Sequence, residues 1–178
     1  PGGEVHRQED RVRDGQDDRT ARYEPVVSFD PLDDDGELAL AKRAAALIGH
    51  LRAESEAAGR TVAVYHWHHV EVSMTRRFAC VTTALEGIAV DLRAWFLRTF
   101  HVRGEASIKA VAQFFGFTWA VDDPGGRLSM IKIEVARGTG ADALDARQWC
   151  LDYNESDVAA QAVIRDGLRA MFPPGGTG

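Results

Sequence analysis

The sequence has 178 residues, 45% of them hydrophobic, which suits one domain of ordinary size with a single core. Its formal net charge of −6 excludes a domain that holds nucleic acid chiefly through a positive overall field, yet carboxylate-based chemistry with local Arg and Lys remains compatible with it. No apolar run is long enough to span a membrane, the N-terminal stretch is too polar for a signal peptide, and two cysteines without a C-x-x-C pair indicate neither a disulfide framework nor a thiolate zinc site, so the expected location is the cytoplasm, with both thiols reduced and buried.

Residues 1–22 open at a proline and are dense in Glu, Asp, Arg and Gly, which reads as a disordered or truncated edge. Residues 23–171 read as the domain and 172–178 as a tail. Val26-Val27-Ser28-Phe29 is a strand candidate stopped by Asp30-Pro31. Asp33 to Asp35 cap a helix predicted from about 37 to 58, with Leu38, Ala41, Ala45 and Ile48 at helical spacing and Gly59 at its end. Thr61 to Tyr65 is β-branched and apolar without polar alternation, the pattern of a strand buried on both faces of a sheet. A helix followed by such a strand points to an α/β domain.

His66-Trp67-His68-His69-Val70-Glu71 follows that strand and leads into a helix predicted to run to about 78. Ligands of open α/β sheets gather at strand carboxyl ends. His66, His68 and Glu71 are possible transition-metal ligands, which would favour Zn²⁺, but no ligand spacing of a known zinc class is present, and hydrogen-bonding loop histidines are the plainer interpretation. Val90-Asp91-Leu92 starts a helix through Trp95, Phe96 and Phe100, in which Asp91 can serve as the N-terminal acid. Ser107 N-caps a helix that Gly116 ends, and Phe117-Thr118-Trp119 is a short extended piece. Asp122 to Gly126 is a loop, a short helix is predicted over 129–137, and Gly138-Thr139-Gly140 breaks the chain before a final helix from about 142 to 171. That Gly-x-Gly neither follows a strand nor has a third spaced glycine, so a dinucleotide site is rejected. Arg76, Arg77, Arg93, Arg98, Arg103 and Lys109 form a local basic set in mid-chain.

In the final helix Leu144, Leu151, Val158 and Ala162 are spaced as a buried stripe, and Tyr153 and Asp157, four apart on one face, lie close to it. A carboxylate beside a buried face needs compensation, by a metal ion or more plainly by an Arg.

Taken in order, Val64-Tyr65-His66-Trp67-His68-His69-Val70-Glu71, Val90-Asp91-Leu92, Ser107-Ile108-Lys109-Ala110-Val111 with Gly116-Phe117, Asp122-Asp123-Pro124-Gly125-Gly126, and Tyr153-Asn154-Glu155-Ser156-Asp157-Val158 resemble one family. It is the predicted ribonuclease H-like domain of the YprB type, related to the DEDD 3′–5′ exonucleases and found in bacterial RecB-like putative nucleases. The resemblance covers roughly residues 21–170. It implies an α/β, three-layer ribonuclease H-like fold with a mixed sheet flanked by helices, and metal-dependent hydrolysis of phosphodiester bonds in DNA or RNA. Two Mg²⁺ or Mn²⁺ ions would be held by acids including Asp157, Glu71 and Asp91. Tyr153 would orient the attacking water, and His66, Lys109 and Asn154 would contact the substrate. A RecB-like nuclease or helicase domain is the implied partner. The family's first motif, an Asp-x-Glu on the opening strand, has no counterpart before Val26, so the chain is expected to lack the first strand and to hydrolyse poorly by itself. The alternative is a non-catalytic module that binds nucleic acid or docks on such a partner.

Overall fold

The structure, a computed structural model, describes residues 22–121 and 126–171. Among these residues seven helices and two short strands follow one another as α1 (Asp34–Ala57), β1 (Val64–His66), α2 (His69–Thr75), α3 (Ala79–Leu85), β2 (Ala89–Asp91), α4 (Leu92–Thr99), α5 (Ile108–Phe114), α6 (Gly126–Ala136) and α7 (Ala141–Met171).

The helices begin and end where local chemistry directs. Asp33 accepts from the Gly36 amide at 2.8 Å to cap α1, Asp91 accepts from Ala94 at 2.9 Å to cap α4, and Ser107 accepts from Ala110 at 3.2 Å to cap α5. Gly116, at φ +84°, closes α5: its amide reaches Gln113 and the next amide, Phe117, reaches Ala112, satisfying carbonyls that the helix leaves open.

The 31-residue helix α7 is the axis of the molecule. α6, α5 and α4 all pack against it. The buried positions of α7 are Ala143, Ala146, Ser156, Ala160, Ile164 and Leu168. Four of these six are small, which lets neighbouring backbones approach closely. Gly167 carries this furthest, because the Phe115 ring of α5 occupies the space a side chain would take. The core joins Trp67, Leu92, Phe96, Val111, Ala112, Trp119, Ala160, Ile164 and Leu168. Leu92, Ile164 and Leu168 are fully enclosed. The predicted stripe on α7 is thereby corrected: Leu144 is 63% exposed and Val158 51% exposed, because the helices pack on the small-residue face instead.

The expected three-layer ribonuclease H-like fold is not what forms. Of the described residues 65% are helical and 4% lie in strands, and the only sheet among them is one parallel pair, Val64 opposite Ala89 through His66 opposite Asp91. Two physical features explain the discrepancy. The apolar run over 61–65 pairs only from Val64 onward and is partly exposed there, so it is not a strand buried on both faces. The candidate strand at 26–29 has no ladder partner among the described residues, and it lies near α7, where the Arg147 guanidinium sits 5.7 Å from the Phe29 ring centroid. The helix expected to reach 78 ends at Thr75, and α3 and β2 were not anticipated as separate elements. The predicted loop falls mainly on 122–125, outside the described residues. Both cysteines are free thiols, partly rather than fully buried.

Candidate functional site

The site is centred on Asp157, one turn beyond Tyr153 on α7. The segment after Gly116 crosses α7 at this level and bonds to two consecutive residues. The Ala120 amide donates to Ser156 Oγ at 3.3 Å, and the Trp119 indole N–H donates to Asp157 Oδ1 at 2.9 Å. Trp119 is buried, and a buried indole N–H requires an acceptor, so the carboxylate both satisfies the ring and is positioned by it. Lys109, fixed in the first turn of α5 by the Ser107 cap, places its ammonium 5.5 Å from the Tyr153 ring centroid. Trp149, one turn before Tyr153, lies against it with ring centroids 5.2 Å apart.

Burial pushes the Asp157 carboxyl above the usual carboxylate range, and the Trp119 indole, the Lys109 charge and the Tyr153 hydroxyl each pull it back only in part. Burial likewise raises the Tyr153 phenol, helped by the negative charge of Asp157 and by its bonding to that carboxylate. A half-buried acid whose ionisation is resisted, beside a phenol and a lysine, is a candidate functional group.

The other anticipated residues do not join this cluster. Glu71 accepts from the Trp67 amide at 3.0 Å and so braces the entry to α2. Asp91 is occupied as the cap of α4. His66 does stand beside Asp91 at the carboxyl ends of the parallel strands, but its Nδ1 bonds the His68 carbonyl at 2.9 Å, while His68 Nδ1 accepts from Val70 at 3.3 Å as the cap of α2. Asn154 accepts from the Tyr23 hydroxyl at 2.9 Å on a neighbouring face of α7. Tyr65 accepts from Arg169 at 2.8 Å, which ties β1 to the end of α7.

Among the described residues this donor set does not assemble into a two-ion metal centre. Asp157, Glu71 and Asp91 each have an oxygen that accepts from an N–H group. Among the described residues no three His, Cys, Asp or Glu side chains gather to hold an ion, and this applies equally to the histidine-rich Zn²⁺ reading. Sequence reasoning missed Trp119, Ser156 and Trp149. A signal for Trp119 existed in Gly-Phe-Thr-Trp directly after a helix-ending glycine, where a large indole must turn back onto the core. Comparison of the chain with protein-family models, with curated proteins and with solved structures returns no match.

Proposed function

We propose that this chain is one part of a nuclease, contributing Asp157 and Tyr153 to the hydrolysis of phosphodiester bonds in DNA or RNA within a larger RecB-like assembly. The observation that carries the reading is the meeting of Asp157, Tyr153, Lys109 and Trp119 at one level of α7. Lys109 can neutralise a phosphate, the Asp157 carboxylate can accept a proton or orient water, and the Tyr153 hydroxyl beside it can hold that water in line. Mg²⁺ or Mn²⁺, if the assembly uses them, would need carboxylates from other polypeptide segments, given the donor set described above.

A second reading is a non-catalytic module that binds nucleic acid or docks on a nuclease or helicase partner. The engagement of Glu71 and Asp91 in helix-end hydrogen bonds favours it. Labelled single-stranded DNA and RNA, incubated with Mn²⁺ and either the chain alone or the chain with a RecB-like nuclease domain, separate the two. Slow cleavage by the chain alone, accelerated in the assembly and lost in Asp157→Asn, is expected. Cleavage by the assembly that is indifferent to Asp157→Asn and Tyr153→Phe would overturn the nuclease reading.

A further inference from the structure

Along α7 the site continues into a stack whose Lys132 and Trp149 lie outside the five motifs. The Lys132 ammonium, from α6, lies 5.9 Å from the Trp149 ring centroid. Trp149 leans on Tyr153 at 31° between ring planes, and Lys109, from α5, completes the series over Tyr153. Lysine, indole, phenol and lysine thus follow one another where α6 and α5 both pack on the same helix. All four side chains are partly exposed. Among the described residues neither Lys109 nor Lys132 has a carboxylate within salt-bridge distance. Of the acids near the stack on α7, Asp152 accepts from Gln148 at 2.7 Å, and Asp152 and Glu155 act on Tyr23.

We propose that Lys132, Trp149, Tyr153 and Lys109 form a track for single-stranded nucleic acid, with Trp149 as the base-stacking residue and the two lysines as phosphate contacts, leading to Asp157. This rests on the reading above that the ligand is nucleic acid. Two cations set at the ends of an aromatic pair, one of them close enough to Asp157 to act on its carboxyl, match a chain whose phosphates and bases alternate. Arranged this way, backbone charge and base faces are engaged without reading sequence. The rings lie at a junction between packed helices, so a base must be out of a duplex to reach them. A purely structural clasp would account for the ring contact between Trp149 and Tyr153. It leaves unexplained why two helices each send a lysine to the outer side of the ring pair.

The test uses the whole 178-residue chain and a fluorescein-labelled dT12 oligonucleotide, read by anisotropy in EDTA so that hydrolysis cannot interfere. Expected are weakening by about tenfold in Trp149→Ala, with most affinity kept in Trp149→Phe. The salt slope should fall by about 0.7 in each of Lys109→Gln and Lys132→Gln, as for loss of one phosphate contact on a single strand. The glutamine variants leave the rings in place, so they decide the question even if Trp149→Ala fails to fold by circular dichroism. Unchanged binding and unchanged slope in both lysine variants, or equal affinity for a dA·dT duplex, overturns the track. Binding that depends on Trp149 and the lysines, without cleavage in the assay above, keeps the track and removes the nuclease reading. Cleavage that depends on Asp157 but ignores all three residues does the reverse.

Discussion

Gly167 and Gly49 provide a controlled comparison, since both lie inside helices and differ in what surrounds them. Replacing an interior helical glycine by alanine gains about 0.5–1 kcal/mol from backbone entropy and propensity. At Gly49 in α1 an added Cβ meets nothing within 4 Å, so Gly49→Ala should realise that gain. For a chain of this size the midpoint then rises by roughly 1–4 °C. At Gly167 the Cβ would stand 2.9 Å from Phe115 Cγ and nearer still to Cδ1 and Cε1. Moving the ring away would also disturb its edge-on contact with Phe114, at 5.0 Å between centroids. Overpacking of this kind costs about 1–3 kcal/mol, which exceeds the propensity gain, so Gly167→Ala should be net destabilising by about 1–2 kcal/mol. Urea melts followed at 222 nm and by tryptophan fluorescence measure both variants. Phe115→Leu should restore much of the loss, giving a favourable coupling in the double-mutant cycle. Gly167→Ala proving as stable as Gly49→Ala, with no coupling to Phe115, would show that α5 and α7 are not in such close contact.

Three further outcomes follow from the site and the caps. Asp157→Asn should stabilise the fold at neutral pH and leave it nearly unchanged in acid. Because the folded-state pKa is raised, the native state favours the protonated acid; stability is fully present below the unfolded carboxyl pKa and declines as pH rises through the folded one. Thermal midpoints of the two proteins from pH 3 to 8 would refute this by staying parallel. Trp119→Phe removes the largest influence that lowers the Asp157 pKa, so that carboxyl should titrate at still higher pH, read by NMR of the Asp157 side-chain carboxyl; a downward or absent shift would disprove the role of the indole. Asp91→Ala should cost about 1 kcal/mol through loss of the α4 cap without abolishing nucleic-acid binding. Lost binding in a variant that still folds would instead place Asp91 at the ligand.

Much of the local order could be read directly from the residues. Asp33, Asp91 and Ser107 sit where a side-chain oxygen can reach an amide three residues on, and Gly59, Gly116 and Gly140 all take positive φ at or beside helix ends. Such features depend on a few neighbouring residues, so the chain alone specifies them. The four-residue spacing of Tyr153 and Asp157 placed them on one face of α7 for the same reason. Which face of α7 is buried depended on the packing of other helices: the large Leu144 and Val158 were left outside and Ala143, Ala146 and Ala160 inside, since helices approach most closely where side chains are smallest. Whether an apolar run such as 61–65 becomes a buried strand depends likewise on partners distant in sequence, and among the described residues only β2 provides one. The bond from Trp119 to Asp157 spans 38 residues and forms because a buried indole needed an acceptor and α7 presented one, which spacing along the chain cannot reveal. The same holds for Glu71 and Asp91, acids whose type suggested ion binding and whose tertiary neighbours are backbone amides at helix ends.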